Sequence, residues 1–459
     1  MTRRRTLTAI HTIRQQCGRF NSCTIRRLCR LSICVVLLVP SLNSCRHTPP
    51  QSTPVTITLL DPGWLDKEFI EWRKHEEENF TRETGILVKD LPAPETANDQ
   101  LALWRKLLQN PSEAPDVFAI DVIWPPMTAD YSLPLNSYRS DTAQDFSSLV
   151  ANDTVNGQLV AMPYHADAGL LFYRTDLLRA YGYPAPPATW NELEKMATRI
   201  QQGERSKGNQ DFWGFVWQGS PSEALTCNAL EWQASEGGGQ IIEPDGTISV
   251  NNPNAIRSWE RAARWIGSIS PPSVIAYREW DTLNIWRSGN AAFMRNWPTS
   301  YLTSQSKESA VRGKIAATLL PRGRDRRTGT LGGASLSVFR GTPHPKEAVA
   351  LVRYLVRRNV ELNRVIASSQ PPVFPELFED PSALKAVPHL AELKKLFHEG
   401  LVERPSTVAG PKYTQVSEAY FTAVHSVLTK KKKASEAAAQ LEEDLVRLTG
   451  FHSGKAAVR

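Results

Sequence analysis

"VTITLL", residues 55–60, is followed by the turn signal Asp61-Pro62-Gly63, then by "EFIEWRKHEEENFTRETGI", residues 68–86, and "ILVKDL", residues 86–91. The first and last runs carry the β-branched and apolar residues of short buried strands. Between them Phe69, Trp72 and Phe80 recur at helical spacing, and Gly85 stands where a helix would stop. Read together they form a βαβ unit. The pattern repeats: a helix around "DQLALWRKLLQ" leads through Pro115-Asp116 to the strand "VFAIDVI", residues 117–123. Such alternation predicts α/β layers around a largely parallel sheet. Downstream, Thr189 and Glu192 have capping-box spacing ahead of Leu193, Met196, Ala197 and Ile200. "PKEAVALVRYLVRR" and "SEAAAQLEEDLVRLTG" carry the same helical period, so the second half is helix-rich. The run from Lys430 to Lys433 reads as a solvated helix end.

A chain of 459 residues suggests two domains. Its net charge of +7 would point to nucleic acid or anionic membrane, but residues 1–45 hold eight arginines and no acid. Subtracting those eight leaves a body of charge −1, which removes the case for a nucleic-acid partner. Five of the six cysteines lie in the same segment, and Cys227 alone remains in the body, so no disulfide framework is expected there. The apolar run "LSICVVLLVPSL", residues 31–42, is too short to span a bilayer and fits the h-region of an export signal. "LNSC" follows and resembles the bacterial lipobox, with Cys45 the lipidated residue and Asn43 at an unusual position. An ordinary cleaved signal and a transit peptide are the alternatives, and the h-region argues against the second. The long basic stretch before it points to a translation start further downstream.

Catalytic signatures are missing: there is no His-Glu-x-x-His, Cys-x-x-Cys, Gly-x-Ser-x-Gly or Walker loop. The glycines of "EGGGQ", residues 236–240, do not open a helix and so do not suggest a phosphate cradle. No metal or cofactor is expected. The chain does offer carboxylates and aromatics at strand ends: Asp121 before Trp124-Pro125-Pro126, and Asp167 beside Tyr164 and His165. Ligands of open α/β sheets bind there. Carboxylates accept paired hydroxyl hydrogen bonds, and aromatic faces cover the apolar faces of sugar rings. Each Asp could equally cap a helix, and each of the thirteen tryptophans could equally be core.

In chain order, "DVIWPP", "PYHADAGLLFYR", "PPATWNELEKMA", "EALTCNALEW", "GNAAFMRNWP", "LGGASLSV" and "RPSTVAGPKYTQVS" resemble the solute-binding proteins of bacterial ABC sugar importers, most closely the trehalose/maltose-binding branch. The resemblance covers about residues 55–450. It implies a periplasmic-binding-protein fold, with two α/β lobes, a hinge of several chain crossings and a ligand cleft between them. The implied division is a signal peptide with lipobox over 1–45, a linker over 46–54, lobe 1 from 55–163 plus 297–343, lobe 2 from 164–296 plus 344–450, and a tail over 451–459. It implies that Asp121 and Asp167 bind sugar hydroxyls, that Trp297 stacks on a pyranose ring, and that Arg404 reaches the cleft. Glu68, Gly333 and Tyr413 join them by similarity. Where relatives commonly have Gly-Gly-Trp, this chain has Gly332-Gly333-Ala334, so one aromatic platform is missing or supplied elsewhere.

The implied activity is non-enzymatic: an extracytoplasmic, lipid-anchored monomer captures a neutral disaccharide or oligosaccharide by hinge closure and delivers it to the permease subunits. Contact with the membrane is through the lipid alone. Two alternatives stay open: a glycoside hydrolase using Asp121 and Asp167, and a binding protein of the same fold for a polyamine or glycerol phosphate.

Overall fold

The structure, a computed structural model, describes residues 54–61, 67–94 and 96–455, apart from the side chains of Lys67, Glu68 and Glu399. The leader, Cys45 and nearly all of the linker lie outside the described residues. Twelve strands are present among the described residues: β1 (Thr56–Leu60), β2 (Leu87–Leu91), β3 (Val117–Asp121), β4 (Thr154–Val155), β5 (Gln158–Leu159), β6 (Met162–Ala168), β7 (Leu170–Arg174), β8 (Trp213–Val216), β9 (Ala291–Asn296), β10 (Ile315–Leu319), β11 (Gly329–Val338) and β12 (Leu401–Val402).

The opening βαβ unit forms as its pattern predicts. β1 pairs parallel with β2 across the helix Lys67–Thr84, whose Phe69, Trp72 and Phe80 are all buried, and Gly85 ends it at φ 75°. Alternation along the strands then builds two layers. Ile57, Leu59, Val117, Ala119, Leu336 and Val338 face one core with this helix and the helix Pro345–Leu355, while Leu60, Phe118 and Ile120 face the other with Leu101 and Trp104.

Two sheets organise the chain into the two α/β lobes. The first has the order β12-β11-β3-β1-β2, with β6 on the other side of β11; the second has the order β10-β7-β9-β8. Both are mixed, with three of five pairings parallel in the first and one of three in the second. β1, β2 and β3 run together, but β11 is antiparallel to both β3 and β6, and β7 is antiparallel to β9 and β10. The reason is connectivity: β11 enters the first sheet on its way back from the second, so it arrives from the opposite end.

Strand membership also moves the lobe boundaries. The first crossing lies at Gly169, between β6 and β7, and not at residue 163. The corner after β9 does not return the chain to the first sheet: β10 pairs with β7, so the return falls between Leu319 and Gly329, and not at residue 297. The helices Pro345–Leu355 and Arg358–Ser368 pack with β11 and the first helix, so residues 344–368 belong with the first lobe.

Most tryptophans are structural. Trp190, Trp217, Trp232 and Trp265 meet beneath the second sheet with ring centroids 5.0 to 6.3 Å apart. Thr189 caps the helix Trp190–Ser206 by accepting the Glu192 N–H at 3.2 Å, and Leu193, Met196, Ala197 and Ile200 are its buried face.

A second buried feature sits behind β6. Asp153 is 1% exposed, has one oxygen without a partner, and is pushed by burial to a pKa of about 7. A carboxyl raised in the folded state contributes stability that is complete below its unfolded value near 4 and is lost as pH rises through about 7. We therefore expect the unfolding free energy to fall across that window. Asp153→Asn should flatten the fall by roughly 4 kcal/mol, read by urea titration at a series of pH values.

Candidate functional site

β11 carries the floor of the site. In register, Asp121 of β3 lies opposite Ala334 and Asp167 of β6 lies opposite Gly332, so the two carboxylates flank one short stretch of small residues. Gly333 holds φ 117°, and a Cβ there would come within 2.2 Å of the His165 carbonyl oxygen. A Cβ on Gly332 would lie 2.9 Å from Cζ3 of Trp297. Both glycines are therefore needed for close approach. The cleft above them encloses about 890 Å³, open to solvent included, and is lined by residues that include Asp121, Asp167, Trp297, Gly333 and Arg404.

Arg404 is the orienting cation. Nη2 donates to Asp121 Oδ1 at 3.0 Å and to the Leu331 carbonyl at 3.2 Å, while Nη1 donates to Glu223 Oε1 at 3.0 Å. Asp121 also accepts the Ile123 N–H at 3.2 Å. Burial raises the Asp121 pKa above the usual range, with Arg404 opposing the rise and Glu223 adding to it.

Asp167 has a different environment. It is 6% exposed, and among the described residues the one donor to it is the neighbouring Ala168 N–H at 3.1 Å. Burial holds its pKa well above the ordinary value, with Ala168 and Arg295 opposing and Asp121 adding. It is a desolvated acceptor facing open space. Beside it, burial with help from Arg364 pushes His165 down to about 3, so this cleft imidazole is neutral, and its Nδ1 has no partner.

Trp297 lines the same cleft. The Arg295 guanidinium carbon stands 4.2 Å from its ring centroid, and Glu279, whose pKa burial raises, shares the cleft lining. The cluster predicted from sequence, Asp121, Asp167, Trp297, Arg404 and Gly333, is therefore brought together. Tyr413 is not on the cleft wall. It is 1% exposed, stands behind Glu223 and donates its hydroxyl to that carboxylate, which also accepts from Ser417 Oγ at 2.6 Å. Glu68 falls in the first turn of the helix Lys67–Thr84, and its side chain lies outside what the structure describes.

Sequence reasoning did not single out Glu223, Glu279, Asn98, Arg278 or Cys227, all of which line the cleft. A signal existed for Glu223: it opens the helix Glu223–Ser235, which is buried on every side, so each polar residue in it must find a partner. Cys227 is no nucleophile, because burial raises its thiol to about 12. Among the described residues no group of three His, Cys, Asp or Glu side chains is arranged to hold a metal ion.

Residues 67–358 match the family model of the bacterial extracellular solute-binding protein. A probable ABC transporter-binding protein of Deinococcus radiodurans is 43% identical over 403 residues, covering 87% of this chain and 95% of that one. Maltose-bound MalE3 of T. maritima superimposes with a TM-score of 0.80 at 33% identity, over 86% of this chain and all of its own. A tagatose-bound solute-binding protein from Thermotoga lettingae shares the fold at 22% identity, with a TM-score of 0.76 over 86% of this chain and 100% of its own. The chain belongs to the bacterial extracellular solute-binding protein family, whose members are extracytoplasmic binding components of ABC transporters and not enzymes.

Removing Arg404 leaves Asp121 and Glu223 facing each other without a cation. Arg404→Met should lower the unfolding free energy by about 3 kcal/mol, measured by denaturant titration at neutral pH.

Proposed function

We propose that the protein captures a neutral disaccharide or oligosaccharide of the maltose or trehalose class by closure of its lobes and presents it to the permease of an ABC importer. The observation that carries this reading is the pairing of Asp167, a buried acceptor without a side-chain donor among the described residues, with the indole of Trp297 across the Gly332-Gly333 floor. Sugar hydroxyls supply the missing donors, and a pyranose ring supplies the apolar face for the indole. Arg404 holds Asp121 as a second acceptor at a fixed angle. The maltose in the MalE3 relative supports the sugar class. Glu68 completes the ligand set, and lipid on Cys45 tethers the protein outside the membrane; Cys45→Ser should release it from the membrane fraction.

A dissociation constant on the order of 1 μM corresponds to about 8 kcal/mol, within reach of a few charge-assisted hydroxyl bonds and one stacked ring. Calorimetry of the purified protein with maltose, trehalose, a free polyol and a polyamine tests the proposal. One of the two disaccharides should bind with micromolar affinity and raise the melting temperature, and no glucose should be released on long incubation. Binding to the polyamine alone would reverse the reading. Asp167→Asn should weaken sugar binding by about 1–3 kcal/mol, since an amide cannot accept at both positions. The free Asp167 pKa is raised by burial, and hydroxyl donors favour the carboxylate, so binding releases protons and affinity falls as pH is lowered through that pKa. Calorimetry in two buffers of different ionisation enthalpy reads the proton release directly.

A further inference from the structure

We propose that Arg295, clamped by Glu231, is the positioning residue of the sugar platform, fixing the plane of Trp297 and its offset from Asp167; this rests on the sugar-binding reading above. Arg295 does not line the cleft and touches no ligand position. It stands two residues before Trp297 at the end of β9, on the same side of the strand, with its guanidinium over the indole at 4.2 Å. All three nitrogens of that guanidinium are engaged in its plane. Nε and Nη2 donate to Glu231 at 3.0 and 2.5 Å, and Nη1 donates to Gln218 Oε1 at 3.3 Å. One flat face backs the indole.

Gly332 meets the far edge of the same ring. The ring is therefore backed and edged before any ligand arrives, and its remaining surface is offered to the cleft. The clamp also bears on the other half of the site. A Cβ on Gly169 would lie 2.1 Å from Glu231 Oε1 and 2.5 Å from Arg295 Nη2, so the ion pair presses against the crossing two residues beyond Asp167. One pair of buried charges thus fixes both the stacking plane and the strand end that carries the acceptor. An apolar residue at 295 could fill the volume, but it would offer no plane held at a set angle.

Arg295→Ala would leave Glu231 buried and unpaired and risks unfolding. The informative variant is Arg295→Met with Glu231→Met, which removes both charges and keeps the volume. It should remain folded, with cooperative melting, and bind sugar about tenfold more weakly than the natural chain. A second variant, Arg295→Lys, keeps the charge facing Glu231 but gives the indole no plane, and should lose about threefold. Fluorine NMR of the fluorotryptophan-labelled full chain separates positioning from general loosening. The Trp297 resonance, assigned by its loss in Trp297→Phe, should shift and broaden in both variants, while those of Trp190 and Trp259 hold their places. Folded variants that bind within twofold of the natural chain, or an unmoved Trp297 resonance, overturn the inference. If the natural chain binds no sugar, the functional reading fails instead, and the resonance still reports on the clamp.

Discussion

The Arg295–Glu231 ion pair is completely removed from solvent, with both side chains at 0% exposure. Burying two charges costs several kcal/mol for each ion, and their attraction offsets that cost only when every remaining donor and acceptor is satisfied. Here partners come from distant parts of the chain. Gln218 accepts from Arg295 and donates back to its carbonyl at 2.9 Å, and Asn228 orients Gln218 at 3.0 Å. Glu231 accepts the Thr330 N–H of β11 at 3.2 Å. The pair therefore joins the end of the second sheet to the first strand residues of the returning β11. Gly169 lies against it at the other crossing, where any side chain would collide with the carboxylate. Two chain crossings and the platform tryptophan converge on one desolvated contact, and shifting any of them exposes an unpaired charge.

What could be read from the sequence was local. The helix Lys67–Thr84 was legible because Phe69, Trp72 and Phe80 declare its buried face and Gly85 its end within one short window. The strands β1, β2 and β3 were legible for the same reason. The direction of β11 was not, since nothing in "LGGASLSV" says which sheet edge it meets or from which end. The corner at Trp297 illustrates the difference. Its residues marked a functional turn, yet the apolar period of β10 is equally compatible with either sheet, and only pairing with β7 decides between them. The crossing glycines were similarly silent: Gly169 looks like any turn glycine until the charges packed against it are known.

The site was legible in its acceptors and opaque in their support. Asp121 and Asp167 stand at strand ends, where the chemistry of open sheets puts ligands. Glu223 and Tyr413 belong to a deeper layer. They form, with Ser417 and Arg404, a set of hydrogen bonds that sets the guanidinium angle at Asp121. Residue 404 is separated from Glu223 by 181 positions, so the set exists only once the helices have packed. The tryptophans mislead for a related reason. Burial turns the richest cluster, Trp190, Trp217, Trp232 and Trp265, into core, while Trp297 on the cleft wall is distinguished by the glycine and arginine that flank it in space.

The two acceptors are held in opposite ways, and the contrast has a consequence for selectivity. Asp121 has its cation in place before a ligand arrives, so its geometry is set and its desolvation already compensated in part. Asp167 is buried with a single donor among the described residues, the Ala168 N–H, and a repelling carboxylate at Asp121, so its charged form is disfavoured until something donates to it. A hydroxyl placed on Asp167 therefore gains more than one placed on Asp121, because it relieves a penalty as well as forming a bond. Ligands that lack a donor at that point lose twice, once for the bond and once for the acceptor left buried. On the proposed sugar-binding reading, discrimination between ligands is thus concentrated at Asp167, while Asp121 supplies register, and the indole backed by Arg295 decides which ring can reach both.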